Sequence, residues 1–204
     1  MVVFDAGGVL VRICRSWREA CAAAGVTFHE LVATPEGMAA RKAVVQRYEL
    51  GQLSCEEYFE TLAEATNGLY APAEVRRVHE SWILGDYPGV TSLIEGLNTR
   101  GVRTGLLSNT NATHWLALAG RRSIQLIDHP HASHLLGLAK PAAAIYHAFA
   151  QRVGRPAGEL LFFDDLPDNV AAARAAGWRA VHIDHTGDPA AQMRTALALV
   201  GITV

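Results

Sequence analysis

The sequence lacks an excess of charge of either sign, and it lacks any long hydrophobic run. Its 204 residues include 18 basic and 20 acidic side chains, a formal net charge of −2. This balance offers no electrostatic attraction to nucleic acid or to an anionic membrane, so we expect neither as a partner. No apolar run approaches the roughly 18 residues of a membrane-spanning helix, and no basic region followed by a long apolar stretch marks a signal peptide.

Cysteine is also scarce, since the chain contains only Cys14, Cys21 and Cys55. An odd number without metal-ligand spacing fits neither a disulfide framework nor a zinc site. We therefore expect reduced thiols in a cytoplasmic protein. Half of the residues are hydrophobic and 19% are charged, which is typical of a globular protein, and the length allows one sizeable core with an inserted subdomain.

Two short apolar runs end on carboxylates: Val2–Phe4 leads into Asp5, and Leu160–Phe163 leads into Asp164 and Asp165. Apolar runs without alternation are typical of strands buried in a parallel sheet, and ligands bind at the carboxyl ends of such strands. Three carboxylates brought together there repel one another unless a cation compensates them. Mg²⁺ typically binds through carboxylates and a substrate phosphate. The sequence therefore predicts a metal-assisted site that handles phosphate.

The second half of the chain alternates strands with helices of about ten residues, which indicates βαβ units and a parallel sheet. The strands predicted there are Val102–Leu107, Ile124–Ile127, His131–Ser133, Leu160–Phe163 and Ala180–Ile183. Residues 16–84 show only helical signals. We therefore predict an α/β protein with a Rossmann-like parallel sheet, helices on both faces, and a small helical cap inserted after the first strand. The predicted core comprises residues 1–14 and 86–204, and the predicted cap residues 15–85.

Four motifs stand at the predicted strand ends: Phe4–Leu10, Leu107–Asn111, Gly137–Pro141 and Phe162–Asn169. Their order and spacing resemble those of the haloacid dehalogenase-like (HAD) hydrolase superfamily, and the cap falls where subfamily I members carry theirs. The chain is similar to bacterial sugar-phosphate phosphatases, such as α-D-glucose-1-phosphate phosphatase, and to the N-terminal phosphatase domain of soluble epoxide hydrolases. The resemblance implies a Mg²⁺-dependent phosphatase of a small phosphorylated metabolite, such as a sugar phosphate.

The resemblance also implies roles for the motif residues. Asp5 is the nucleophile that forms an aspartyl-phosphate. Ser108 binds the phosphoryl oxygens, with the backbone amide of Asn109 nearby, and Lys140 neutralises charge between the nucleophile and the phosphoryl group.

The same resemblance implies a Mg²⁺ site made by Asp5, the Gly7 carbonyl, Asp164 and Asp165. Of the two adjacent acids, Asp165 matches the more direct ligand of the family. Asn169 falls where many relatives carry another acid. We expect it to orient the metal ligands through hydrogen bonds without contacting the metal itself.

Gly7 departs from the pattern of most phosphatases in the superfamily, which carry an aspartate at this position. That aspartate protonates the leaving oxygen and later activates water, and such catalysis is typically worth about 10²- to 10⁴-fold. The similar sugar-phosphate phosphatases also have glycine here, so inactivity does not follow. Without the acid, we expect a preference for leaving groups that need little protonation, such as anomeric sugar phosphates or acyl phosphates.

The cap is expected to determine substrate choice. Arg12, Arg15 and Trp17 follow the hinge, and a cationic face there could bind a second anionic group. Glu49 or His29 could supply the missing proton, although a solvated helix end is the commoner role of such residues.

Three alternatives to the phosphatase interpretation stay open. The histidines His129, His131 and His134 with Asp128 suggest zinc, but an ordinary strand before the lysine motif is favoured. A 2-haloacid dehalogenase uses the same aspartate to attack carbon, but those relatives carry Ser and Asn where this chain has its paired acids. Gly7 suggests a non-catalytic HAD-like binding protein, yet a pure scaffold has no need for mutually repelling carboxylates.

Overall fold

The computed structural model describes all 204 residues and contains seven strands and eleven α-helices. The strands are β1 (Val2–Phe4), β2 (Val11–Ile13), β3 (Ile83–Asp86), β4 (Thr104–Ser108), β5 (His129–Ala132), β6 (Leu161–Asp164) and β7 (Arg179–His182). The helices are α1 (Trp17–Ala24), α2 (Pro35–Glu49), α3 (Cys55–Glu64), α4 (Pro72–Glu80), α5 (Val90–Thr99), α6 (Ala112–Ala119), α7 (Arg122–Gln125), α8 (Ser133–Leu136), α9 (Ala143–Val153), α10 (Pro167–Ala175) and α11 (Pro189–Ala198). None of the helices combines the length and the apolar character needed to cross a membrane.

The main sheet has the strand order β5-β4-β1-β6-β7, and all neighbouring strands are parallel. The first strand lies at the centre, with Phe4 opposite Leu106 of β4 and Phe163 of β6. Because of this register, the residues that follow the three central strands emerge side by side at one edge of the sheet. Ligands bind at this edge in open α/β sheets.

Helices cover both faces of the sheet. Val2 and Phe4 pack into one apolar cluster with α5 and α11, whereas Val3 packs into another with α9 and α10. A strand covered on both faces needs apolar residues at consecutive positions, which explains the absence of alternation in β1. The Rossmann-like α/β fold predicted from the sequence is confirmed.

Helices α1 to α4 form the helical cap, which is inserted between β2 and β3. The cap has its own apolar cluster, whose largest members include Trp17, Tyr48 and Phe59. Strands β2 and β3 pair antiparallel, so the chain leaves and re-enters the core through one two-stranded ribbon. The predicted insertion of a helical cap after the first strand is confirmed, and its limits at residues 15 and 85 stay a prediction.

Three predictions about strands were wrong in detail. The segment Ile124–Ile127 belongs to the end of α7 and the following turn, and both isoleucines are buried in the core there. The strand predicted at His131–Ser133 begins two positions earlier, as β5. Ile83, in a stretch predicted to lack strands, begins β3. Short apolar runs do not distinguish a strand from a buried helix segment.

Candidate active site

Three carboxylates meet at the carboxyl edge of the sheet. Asp5 follows β1, Asp164 ends β6, and Asp165 comes next. All three are buried, their ligand oxygens lie within 4.8 Å of one another, and no other group of three potential metal ligands occurs in the structure. Burial, together with the charges of Asp164 and Asp165, raises the pKa of Asp5 to about 7, although Lys140 opposes the shift. The cluster is therefore short of positive charge.

Lys140 places its ammonium group between two of these carboxylates. Its Nζ lies 3.0 Å from Asp5 Oδ1 and 2.7 Å from Asp164 Oδ2, and its side chain is 1% exposed. Burial on its own would lower the pKa of Lys140, but the carboxylates of Asp164 and Asp5 outweigh it and raise the pKa well above the usual value. Lys140 is therefore a fixed positive charge at physiological pH.

The two adjacent acids have different surroundings. Asp164 accepts hydrogen bonds from Lys140, from Asn169 Nδ2 at 3.0 Å to each oxygen, and from a backbone N–H at 2.8 Å. Asp165 accepts one side-chain hydrogen bond, from Arg15 Nη1 at 2.7 Å. Protein donors therefore saturate Asp164, while Asp165 keeps lone pairs for another ligand.

Asn109 holds the backbone of Lys140 in place. Its Nδ2 donates to the Lys140 carbonyl at 2.8 Å, and the Lys140 N–H donates to Asn109 Oδ1 at 2.8 Å. This reciprocal pair ties the end of β4 to the lysine loop, beside the buried Ser108. The sequence assigned only the Asn109 backbone amide to phosphate, and no local pattern connects its side chain to a residue so distant along the chain.

The carboxylate cluster suits a divalent cation. The buried Asp5 Oδ1 forms an ion pair with Lys140 but accepts no well-directed hydrogen bond from the protein. Gly8 has a φ of +79°, and a β-carbon there would overlap with Asp165 Oδ2. The absence of a side chain at Gly8 therefore lets the Asp165 carboxylate and the Arg15 guanidinium approach the backbone closely, and carboxylate oxygens are donors that Mg²⁺ prefers.

A cavity of about 240 Å³ lies between this edge and the cap. The candidate residues Gly7, Ser108 and Asn109 line its floor, and Trp17 and Glu49 line its cap side. Asp5 and Lys140 are not among the lining residues, but Ala6 and Gly7, which directly follow Asp5, are.

The other candidate cap residues lie elsewhere. Arg15 contacts Asp165, as described above, and Arg12 is exposed on β2. His29 packs its ring against Tyr70, 5.1 Å between ring centroids, and does not line the cavity. The structure therefore brings Glu49 to the cavity and leaves His29 outside it.

Two histidines that the sequence analysis missed join the cap to the core. The rings of His79 in α4 and His114 in α6 are stacked, with centroids 3.9 Å apart. His114 Nε2 donates to the His79 carbonyl at 2.8 Å, and His79 Nε2 lies 3.1 Å from Asn111 Oδ1. Burial lowers the pKa of both histidines, so both are neutral. Each is an isolated residue in its sequence segment, which gave no signal of this pairing.

The histidines near β5 do not converge on a metal site. Asp128 accepts hydrogen bonds from Thr104, and His131 packs on Phe149 with ring centroids 5.0 Å apart. These contacts agree with the structural role favoured from the sequence.

Comparisons with known proteins agree with this geometry. A family model described as haloacid dehalogenase-like hydrolase matches residues 1–177. Phosphatase MT3486 of Mycobacterium tuberculosis (strain CDC 1551 / Oshkosh) is 33% identical over 138 residues, which are 64% of this chain and 62% of that protein. The chain thus spans less than two thirds of that relative's length.

Two solved structures have a similar fold. One, described as a predicted HAD-like family hydrolase from Porphyromonas gingivalis, is 27% identical, with a TM-score of 0.77 over 96% of each chain. The other, the HAD family enzyme bt-2542 from Bacteroides thetaiotaomicron, is 20% identical, with a TM-score of 0.79 over 95% of this chain and 97% of that chain. The strand-end motifs, the sheet that aligns them and the matching family model lead to one conclusion: the chain belongs to the haloacid dehalogenase-like hydrolase family.

Proposed function

We propose that this protein is a Mg²⁺-dependent phosphatase that hydrolyses a small phosphorylated metabolite through an aspartyl-phosphate on Asp5. The observation that supports this most strongly is the contact of Lys140 with both Asp5 and Asp164 at the carboxyl edge of the sheet. Phosphoryl transfer needs little besides positioning and charge neutralisation, and this arrangement offers both. The name of the relative Phosphatase MT3486 supports the same reaction class.

In the proposed reaction, Asp5 attacks phosphorus in line with the leaving oxygen. Lys140 and Ser108 bind the phosphoryl oxygens. The side chain of Asn109 holds the backbone of Lys140 in position through two hydrogen bonds. A fixed ammonium group stabilises the charge that spreads over these oxygens in the transition state. Water then hydrolyses the phospho-enzyme and regenerates the Asp5 carboxylate.

The metal ligands we propose are Asp5, the Gly7 carbonyl and Asp165, with Asp164 and Asn169 orienting them. Asp165 is placed in direct contact because it keeps free lone pairs, whereas Asp164 is saturated by protein donors. Mg²⁺ bound there supplies charge neutralisation for the phosphoryl oxygens. The paired acids also favour this reaction over that of a 2-haloacid dehalogenase.

A sugar phosphate, which the resemblance implies, suits the cavity walls. Nine of the 18 lining residues are hydrophobic, and they include Trp17 and Trp82, beside the polar Arg41 and Asn111. Aromatic rings can pack on the apolar face of a sugar while polar groups bind its hydroxyls. We propose that the substrate is a cytoplasmic metabolite whose leaving group is small, cyclic or branched, and carries both apolar and polar surfaces.

A screen of phosphorylated metabolites with and without EDTA tests the proposal. We expect phosphate release that EDTA abolishes and excess Mg²⁺ restores. Mg²⁺ at about 100 times its dissociation constant should also stabilise the substrate-free protein by about 2.7 kcal/mol. Asp165→Asn should lose this stabilisation, whereas the exposed Asp168 provides a control, Asp168→Asn, that keeps it.

Two results of this screen contradict the proposal. Metal-independent halide release from a 2-haloacid would identify a dehalogenase. Neither phosphate nor halide release across the panel would leave a binding protein with the same fold.

A further inference from the structure

The side chain of Ile13 packs against the position where most relatives carry an aspartate. A β-carbon added to Gly7 would lie 2.9 Å from Ile13 Cδ1, closer than side-chain carbons pack. Ile13 of β2 therefore lies beside the position of the usual acid, and Gly7 itself has no side chain that could donate a proton. Any group that protonates the leaving oxygen has to come from another wall of the cavity.

Glu49 carries the only carboxyl group among the 18 residues that line the cavity. The other titratable groups there cannot deliver a proton near neutral pH. Burial raises the pKa of Tyr58 far above its usual value, and Arg41 is a permanent cation. His79 and His114 are neutral, and both ring nitrogens of each are within hydrogen-bonding distance of protein groups.

The helix end that carries Glu49 is fixed on the core. Tyr48, the preceding residue, shares a 2.7 Å hydrogen bond with Thr113 Oγ1 in α6. Gly51 has a φ of +70° and approaches the core so closely that a β-carbon would overlap with the His134 carbonyl oxygen. Anchors on both sides of Glu49 thus fix the backbone of this helix end next to the cavity that Glu49 lines.

Resting on the proposed phosphatase function, we propose that Glu49 is the catalytic acid and base that replaces the aspartate absent at position 7. In the first half-reaction, a bond forms between Asp5 and phosphorus while the ester P–O bond breaks. The protonated Glu49 carboxyl gives its proton to the departing alkoxide, so an alcohol leaves. In the second half-reaction, the Glu49 carboxylate takes a proton from water as its oxygen attacks phosphorus, and phosphate leaves Asp5.

The charges around Glu49 suit this exchange. Burial and the Asp5 carboxylate raise the pKa of Glu49 to about 7, and the Lys140 ammonium partly opposes them. Acid–base catalysts work best when their pKa lies near the working pH. The other charged or titratable side chains in the cavity wall are Arg41, Tyr58, His79 and His114.

This role changes what the sequence implied about substrates. A preference for activated leaving groups follows only if the site has no acid. With Glu49 in place, the wild-type protein should accept simple alkyl phosphates, and the preference should emerge when Glu49 is removed.

The test compares Glu49→Gln with wild type on two substrates with Mg²⁺ present. Propyl phosphate has a leaving group that needs a proton, whereas p-nitrophenyl phosphate has one that departs as a stable anion. On propyl phosphate, we expect the kcat of the variant to fall by about 10²- to 10⁴-fold. On p-nitrophenyl phosphate, we measure the rate of phospho-enzyme formation under single-turnover conditions, and we expect it to fall by less than about threefold. The exposed Glu36 at the other end of α2 provides the matched control, Glu36→Gln, which should leave both rates unchanged.

Equal losses on both substrates in a variant that unfolds at the same urea concentration as wild type, or no loss on either, would overturn the role of Glu49. The measurement on p-nitrophenyl phosphate also detects misfolding, since a disordered site loses both activities. Glu49→Asp keeps a carboxyl group and should therefore retain more propyl phosphate activity than Glu49→Gln. Absence of Mg²⁺-dependent phosphate release by the wild-type protein from any phosphate ester would instead overturn the proposed function, and this inference with it.

Discussion

Replacing Asp5 with asparagine should lower phosphate release by about 10⁴-fold or more, because the amide oxygen is too weak a nucleophile to form the phospho-enzyme. The protein should stay folded. Asparagine has nearly the same shape, and Lys140 keeps its 2.7 Å contact with Asp164. Since burial and like charges raise the pKa of Asp5, the neutral amide also relieves repulsion in the metal-free protein. Phosphate release with saturating Mg²⁺ and the free energy of unfolding in urea are the two measurements.

The matched control for this variant is Asp168→Asn, which alters an exposed carboxyl group in the same strand-end motif as Asp164. It should change the rate by less than about threefold, as is usual for surface groups outside the reaction centre. An Asp5→Asn protein that keeps about a tenth or more of the wild-type rate would rule out Asp5 as the nucleophile.

Replacing Lys140 with methionine should cost about 3–5 kcal/mol of folding stability at pH 8 without metal, the usual cost of breaking a buried ion pair. The side chain is 1% exposed, and its loss leaves Asp5 and Asp164 without their shared cation. Burial already raises the pKa of Asp5, and without the lysine this carboxyl group binds its proton still more tightly in the folded protein than in the unfolded chain. Lowering the pH protonates this carboxyl group and removes the penalty of burying its charge. The stability difference between the variant and wild type should therefore be smaller at pH 5 than at pH 8.

The control is Lys42→Met on the exposed surface of the cap, which should change stability by less than about 0.5 kcal/mol. Adding Asp164→Asn to Lys140→Met removes one unpaired carboxylate and should restore part of the loss. A deficit below about 1 kcal/mol at pH 8, or one that grows as the pH falls, would show that Lys140 does not compensate the buried acids.

Much of the site could be predicted from the sequence because its residues stand at strand ends. Asp5, Ser108 and Asp164 each come at or directly after an apolar strand, and parallel pairing brings such ends to one edge. Local patterns were therefore enough to place these side chains together, and the fold followed from the alternation of strands and helices.

The rest depended on contacts between distant segments. Neither the clamp of Asn109 on Lys140 nor the stacking of His79 on His114 leaves a local pattern. The pairing of β2 with β3 spans the whole cap insertion, so short strands there were missed. Glu49 was a candidate from the sequence, but only the docking of its helix end on the core sets it apart from a solvated residue.

Trapping the covalent intermediate tests the central claim most directly. The protein is mixed with Mg²⁺ and p-nitrophenyl phosphate, quenched in acid during turnover and reduced with borohydride, which converts an aspartyl-phosphate to homoserine. We expect mass spectrometry to find homoserine at position 5 alone, and to find none when Mg²⁺ or substrate is omitted. Steady turnover with an unmodified Asp5, or with the phosphoryl group on another residue, would contradict the mechanism.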